Sequence, residues 1–488
     1  MFGAYVYEIS SAEYEKYVLL IDKDGLEEKT EYSAYFAEHG FTVIRYENDL
    51  VYRSKMEGQI KSETGKYLMI AESGVYIPYD VQKFFRTTKI SIGRLFPKLN
   101  AVVVQNDPEM DMDLLTMAYQ KNFSDLTSYK DTEAFIRDNV KGKSNVKKYV
   151  DSLCQELEKA AGEARTYRDW FTVARLKATI HVLAGQYGMA VDIEETCRPF
   201  IDFILKDFGK LSAEMAEDTP VLVSRAMDYM QYHSKKFVII VMDGMSEFDW
   251  KILSRSFEDV KYDHANVMAM IPTVTSISRQ CLLSNKFPKE LENPWGQSKE
   301  KKEFMECARS LGFADAQIGY ERGYDAEFGA AVSCAAIIVN DVDDIVHGQF
   351  QGRIGMYNDI TLLMKQRKLI GTVRRMLKAG FDVYISADHG NTPCTGMGKL
   401  MKSGVETETK SHRMVVLKEF ADKFAIMEKY PGLIEYPKYY LDKQFDYLIC
   451  GIGGSFDAKR EEVMNHGGIT IDEVIVPFIK IKAVDNNG

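Results

Sequence analysis

The chain is poor in features that would settle its class at once. Its 488 residues hold seven cysteines, at 154, 197, 281, 307, 334, 394 and 450, and no C-x-x-C pair. That scatter excludes a disulfide framework and a cysteine-type zinc knuckle, and it fits reduced, buried thiols in the cytoplasm. No stretch reaches the ~20 uninterrupted apolar residues of a membrane span. The first twenty residues carry no basic region and no early apolar run, so no signal peptide is expected. A basic surplus is missing too: the formal charge is −10 and the pI about 5.5. General electrostatic binding to duplex nucleic acid needs such a surplus. A local basic groove remains compatible with that tally, as do carboxylates offset by bound cations. No internal repeat or low-complexity tract is visible.

The length suits two to four domains at ~150 residues each. Hydrophobic residues at 45% and charged residues at 27% are ordinary for a globular protein. Residues 1–130 alternate apolar runs with a helical pattern, as a small α/β domain does. The expected strands are Tyr17–Asp22, Phe41–Tyr46, Tyr67–Ala71 and Ala101–Val104, with a helix over Glu28–His39. This opening resembles a response-regulator receiver in layout, with acids at Asp22 and Asp24. Glu72-Ser73 stands where a receiver's acceptor aspartate would be. Residues 131–235 carry apolar positions at helical spacing and only two prolines, Pro199 and Pro220, which predicts a helical linker domain. His181 and His233 fall there and are assigned no role.

From Lys236 the pattern changes. Phe237–Met242 is an unbroken apolar run, as in a central parallel strand buried on both faces. Further strands are expected at Val267–Ile271, Ala335–Val339, Asp382–Ile385, Arg413–Val416 and Val474–Phe478, with a helical stretch over Asp359–Ala379. The polar segment 286–330 is expected to ride above the sheet as an insertion. Ligands of open α/β sheets bind at the carboxyl ends of strands. Asp243, Thr275, Asp343 and Asp388 each follow an apolar run, so one mouth can collect all four.

Four of the eight histidines lie in the last third, each beside an acid, a glycine or a basic loop. Asp243 closes a strand and precedes Gly244, which lets the backbone turn close to a ligand. The plain alternative for such an aspartate is a helix cap. Asp388-His389-Gly390 follows another apolar run and offers adjacent oxygen and nitrogen donors, a mixture that suits zinc or manganese. Asp343 and His347, four apart, share one face of a helical turn. Asp341 and Asp344 compete with Asp343, and the spacing favours Asp343. His466 sits in a glycine-rich loop before an apolar run. Thr273, Thr275 and Ser276 form a hydroxyl cluster, and a hydroxyl beside a divalent ion loses its proton near neutral pH. The plain reading of the cluster is a helix N-cap.

The ordered set resembles the alkaline phosphatase superfamily, and within it the PglZ domain of BREX phage-defence systems. The carrying residues are Met242–Met245, Ile271–Ser276, Val342–His347, Ser386–Gly390, Ser411–Arg413, and His466–Gly468 with Glu473–Pro477, spanning about 236–482. The resemblance implies an α/β fold with a central, mostly parallel sheet and flanking helices over 236–488. It implies one metal site at Asp343, His347 and His466, and another at Asp243, Asp388, His389 and the nucleophile. The nucleophile it implies is Thr275, with Thr273 as fallback, and His412-Arg413 would hold a phosphate oxygen. The implied activity is a two-metal phosphohydrolase, a phosphodiesterase before a monoesterase, loaded with zinc before manganese. Its expected partners are a phosphoester, nucleotide or nucleic acid among the candidates, and proteins of a defence system, in the cytoplasm and without a membrane.

Three rivals remain. A phosphomutase would need an arginine-rich sugar-phosphate clamp, for which Arg322 and Arg353 are the candidates. A metal-binding scaffold would show a lost ligand, and none is missing. A nucleic-acid binder would use the stripe Lys365, Arg367, Lys368, Arg374, Arg375 and Lys378, which a solvated helix face explains equally well. The sulfatase Cys/Ser-x-Pro-x-Arg signature is absent.

Overall fold

The computed structural model describes residues 1–62, 65–122, 124–400, 405–408, 412–418 and 422–483. Ser411 of the expected Ser411–Arg413 motif therefore lies outside the described residues. The chain divides into two compact units, Met1–Asp151 and Ser152–Gly488.

In the first unit, β1 (Tyr17–Asp22), β2 (Phe41–Tyr46), β3 (Lys66–Glu72) and β4 (Arg86–Ile90) form a parallel sheet in the order β2-β3-β1-β4. Receivers use the doubly wound order 2-1-3-4-5, so the topology here differs. Two local expectations need correction. Ala101–Gln105 is a helix, because the Asn100 side chain accepts from the Val102 N–H and starts a turn. A four-residue apolar run is too short to choose strand over helix by itself. The helix expected over Glu28–His39 is two, Leu26–Thr30 and Ser33–Glu38, broken where Glu31 takes a left-handed conformation.

The second unit begins with helices, among them Tyr167–Gln186, whose Thr166–Asp169 capping box starts it cleanly. Then follow β5 (Phe237–Met242), β6 (Asp263–Met268), β7 (Ile318–Arg322), β8 (Cys334–Val339), β9 (Asp382–Ser386), β10 (Thr392–Gly396), β11 (Val405–Glu408), β12 (Met414–Leu417), β13 (Leu433–Glu435), β14 (Asp446–Cys450), β15 (Gly454–Ser455), β16 (Glu462–Asn465) and β17 (Ile475–Ile481). The main sheet has the order β6-β17-β9-β5-β8-β7. Strand β5 pairs in parallel with β8 and β9, and β7 with β8. Every residue of β5 and β8 is buried, which is why both read as unbroken apolar runs. Full burial of each such side chain contributes roughly 1.5–3 kcal/mol. The segment 286–330 does not wholly ride above the sheet: its Ile318–Arg322 portion joins the sheet as edge strand β7. That strand's short, polar end hides it from pattern reading.

Strand β17 runs antiparallel to both neighbours, β6 and β9. This reversal decides where the last loop lands. Strands β5, β6, β8 and β9 all point one way, so their carboxyl ends share one edge. The amino end of β17, preceded by the His466 loop, lies at that same edge. Two smaller sheets, β15-β10-β16 and β11-β12-β14-β13, complete the unit. Among the described residues no helix is long and apolar enough to cross a membrane.

Candidate metal centre and nucleophile

Asp243 follows β5 directly and is buried, as are Asp388 and His389 after β9. Asp343 lies on the Asp341–Gly348 helix after β8, and His466 on the loop before β17. Asp243, Asp388 and His389 offer donor atoms within 4.8 Å of one another, and so do Asp343, His389 and His466. The rings of His389 and His466 stack with centroids 4.0 Å apart.

Both imidazoles are oriented by the main chain. Nδ1 of His389 faces the Gly390 carbonyl at 3.1 Å, and Nδ1 of His466 faces the Thr273 carbonyl at 3.0 Å. A carbonyl accepts the Nδ1 proton, which leaves Nε2 as a lone-pair donor turned into the cluster. Nε2 of His466 lies 3.4 Å from Asp343 Oδ1, and Nε2 of His389 lies 3.7 Å from an oxygen of Asp243 and of Asp388. His347 is half exposed beside them, its Nε2 at 3.4 Å from Asp343 Oδ2.

Thr275 opens the ten-residue Thr275–Ser284 helix. Its hydroxyl lies 3.0 Å from His389 Nε2 and 3.5 Å from Asp243 Oδ1. Thr273 is differently employed. It donates to the Gly468 carbonyl at 2.8 Å and accepts from the Gly467 N–H at 3.1 Å, fully buried, and so fastens the His466 loop to the hydroxyl turn.

The electrostatics are those of a site short of positive charge. Burial, then the charge of Asp388, pushes the Asp243 carboxyl up, against the pull of Arg279. Burial raises Asp388 to about 6. Asp343 goes the other way: burial would raise it, but the His347 hydrogen bond and the surrounding imidazoles hold it well below the usual range. Burial, with His389 nearby, lowers His466 to about 4. The same Asp343 hydrogen bond raises His347. Within the two donor groups, three buried atoms have no hydrogen-bond partner among the described residues, namely Asp343 Oδ1, Asp388 Oδ2 and His466 Nε2. Unpaired buried acceptors are costly. Acceptors only, with mixed oxygen and nitrogen character, are what divalent cations take, so the residues present fit metal ions.

Gly244 shows how closely the parts approach. Its φ is +73°, its N–H donates to Asp388 Oδ1 at 3.2 Å, and an added Cβ would stand 3.3 Å from Asp343 Oδ1. Asn391 bridges the Gly244 carbonyl, at 2.9 Å, to Asp249 Oδ2, at 2.7 Å.

The two residues expected to hold a phosphate oxygen part ways. His412, in a left-handed conformation, is exposed and pairs with Asp457 at 2.6 Å, which raises its pKa. Arg413 is fully buried. Its guanidinium donates to both oxygens of Glu473, to the Gly451 and Gly454 carbonyls and to Cys394 Sγ. A guanidinium has five N–H donors, and five bonds leave none for a phosphate. Arg413 instead fixes Glu473, which holds the Gly468 N–H at 2.8 Å and the Thr470 hydroxyl at 2.7 Å. Arg353 pairs with Asp472 at 2.7 Å, and Asp472 also meets buried Lys177.

Sequence reasoning missed Arg279 and Glu300. Arg279 is buried and donates to Asp243 Oδ2 and, at 2.7 Å, to Glu300 Oε2. Its position four residues after Thr275, on the same helix face, was the available signal. Asn391 and Asp249 had none.

The sequence family described as the BREX system PglZ alkaline phosphatase-like domain matches residues 222–481, more than half of the chain. No curated protein matches by sequence. Among solved structures, human ectonucleotide pyrophosphatase/phosphodiesterase 5 is similar at 16% identity and a TM-score of 0.39, covering 50% of this chain and 87% of that one. The murine protein gives 14% and 0.37, covering 50% and 88%. Phosphonoacetate hydrolase from Sinorhizobium meliloti 1021 gives 12% and 0.33, covering 52% and 92%. The match over 222–481 coincides with the sheet and the acid–imidazole cluster just described, and the chain belongs to the PglZ family, the alkaline phosphatase-like domain of BREX systems, with the fold and donor set of a metal-dependent phosphoesterase.

Proposed function

We propose that this protein is a phosphodiesterase that uses Thr275 as nucleophile and two divalent ions, zinc before manganese, and that it serves phage defence in the cytoplasm. The observation that carries this reading is the place of the Thr275 hydroxyl: at a helix N-terminus, 3.0 Å from His389 Nε2 and 3.5 Å from Asp243 Oδ1. Asp243, Asp388, His389 and Thr275 would hold one ion; Asp343, His347 and His466 would hold the other. Bound there, the ions supply the charge that acidifies the Thr275 hydroxyl and stabilises the leaving oxygen.

The chain's own residues do the rest. The N-terminal end of the Thr275–Ser284 helix favours the phosphate anion, and its first residue aims Oγ1 at phosphorus. Oγ1 gives up its proton and bonds to phosphorus as the bond to the leaving oxygen breaks; the leaving group takes up a proton and departs as the alcohol, and a phosphothreonine remains. Water then attacks the same phosphorus and returns the Thr275 hydroxyl. His412, exposed beside the site, would hold a phosphate oxygen. The mixed carboxylate and imidazole set supports zinc, and the family supports a defence setting with protein partners. Seven unpaired thiols support the cytoplasm.

A phosphomutase is the weaker reading, because Arg353 is paired with Asp472 and Arg322 with Glu300, so neither is an uncommitted sugar-phosphate clamp. The test is hydrolysis of bis-p-nitrophenyl phosphate and p-nitrophenyl phosphate by the full chain, with zinc, with manganese and with chelator. The expected result is chelator-sensitive turnover that favours the diester and vanishes in Thr275→Ala. Bound metal with no turnover of either ester would overturn it in favour of a scaffold.

A further inference from the structure

Arg279 puts a permanent positive charge inside one of the two donor groups and not the other. Its side chain is 1% exposed. One terminal nitrogen donates to Asp243 Oδ2 and stands 3.9 Å from Asp388 Oδ2. Asp343 Oδ1 and His466 Nε2, in the other group, face each other at 3.4 Å without a hydrogen bond, and no arginine or lysine pairs with Asp343 among the described residues. The guanidinium is also held from behind. Glu300 takes its Nε at 2.7 Å and is itself buried, bonded to the Tyr320 hydroxyl and, at 3.1 Å, to Arg322. These three residues lie in the 286–330 segment, which thereby reaches the metal centre.

We propose that Arg279 is a positioning residue that makes the two ion sites unequal, its guanidinium competing with the ion for Asp243 while Glu300 draws it back. This deepens, and rests on, the two-ion reading above. An arginine stays charged at any working pH, so it opposes a nearby dication under all conditions. The Asp343 group therefore fills first, and the Asp243 group fills only as the guanidinium yields towards Glu300.

The experiment is calorimetric titration of the chelator-stripped full chain with zinc and, separately, with manganese. Wild type is expected to show two classes of site. In Arg279→Met, which keeps the bulk and removes the charge, the weaker class should tighten at least tenfold while the tighter class stays within threefold. In Glu300→Gln the weaker class should loosen instead, because the guanidinium leans further onto Asp243. Arg279→Lys, which keeps a charge, should stay close to wild type. Opposite shifts for Arg279→Met and Glu300→Gln are something a merely structural role would not give. If both variants loosen the weaker class, or neither moves it, the inference is wrong. Should Arg279→Met fail to fold, Arg279→Gln, which also removes the charge, takes its place, and the same tightening of the weaker class is required of it. Wild-type protein that binds no divalent ion would instead remove the two-ion reading itself.

Discussion

Two strands of this molecule end alike and come to opposite uses. In the first unit β1 runs into Asp22, and Gly25 follows with a φ of +63°. In the second, β5 runs into Asp243, and Gly244 follows with a φ of +73°. Asp22 accepts the Glu27 N–H at 2.8 Å and the Asp24 N–H at 3.3 Å, so neighbouring main chain satisfies it. Asp243 faces a second buried carboxylate, an imidazole, a hydroxyl and one arginine. A strand-end aspartate is therefore a cap when local N–H groups answer it. It is a candidate metal ligand when it stands, as Asp243 does, among buried acceptors that one arginine only partly answers.

Four experiments sharpen that contrast. The largest effect is expected at the nucleophile. Thr275→Ala should cut diester turnover by roughly 10⁴-fold, the scale of losing a nucleophile, with an unchanged thermal midpoint by circular dichroism. Turnover within tenfold of wild type would return the hydroxyl to the role of a helix-cap residue.

Next comes the frame that the first aspartate lacks. Glu473→Gln should lower stability by about 3–5 kcal/mol, as breaking a buried ion pair does, measured by urea unfolding at pH 7. Burial raises the Glu473 carboxyl, but Arg413 outweighs it and the net shift is downward. A depressed folded pKa stabilises above the unfolded pKa and loses that contribution as pH falls through the folded pKa. The gap between wild type and variant should therefore be full at pH 7 and shrink below about pH 4.5, near the ordinary glutamate value. A gap that widens in acid would contradict the pairing.

The two glycines compare the surroundings directly. Gly244→Ala puts a Cβ against Asp343 and should weaken metal binding by about 10–100-fold, the scale seen for residues behind metal ligands. Gly25→Ala meets nothing within 4 Å. It should cost only the backbone strain, about 1 kcal/mol, and leave metal binding alone. Equal metal affinity in the two variants would show that the close approach of Gly244 to Asp343 does not govern metal binding. Smallest of all, Asp22→Ala should lose about 1 kcal/mol of stability, with kcat/KM unchanged. A loss of turnover there would tie the first unit to the chemistry.

The contrast also explains what could be read from the sequence. Strands β1, β2 and β5 have the ends their apolar runs predict: β5 is buried on both faces and reads as a continuous run, while edge strand β2 keeps its apolar positions around exposed Thr42 and Arg45. The ordered acids and imidazoles likewise named residues that the fold brings together, since ligands sit at strand ends that patterning locates. Glu300 and the Arg413–Glu473 pair were illegible for the converse reason, and Arg279 carried only its helical spacing from Thr275. Their partners lie 21 to 60 residues away in sequence and no periodicity links them. Arg413 was expected, with His412, to hold a phosphate oxygen because the resemblance places the pair after the Asp388-His389-Gly390 loop, while burial gave it another set of partners. Ala101–Val104 was read as a strand because four apolar residues carry no period; the cap at Asn100 decided it.

Strand β17 lies between β6 and β9, inside the main sheet, and it is made of residues 475–481. The ribosome builds a chain from its amino end. A nascent protein that has reached residue 465 has made six of the seven residues assigned to metal here, yet its sheet still has a gap and His466 is missing. The sheet and the donor set therefore close together, and only with the last segment of the chain in place.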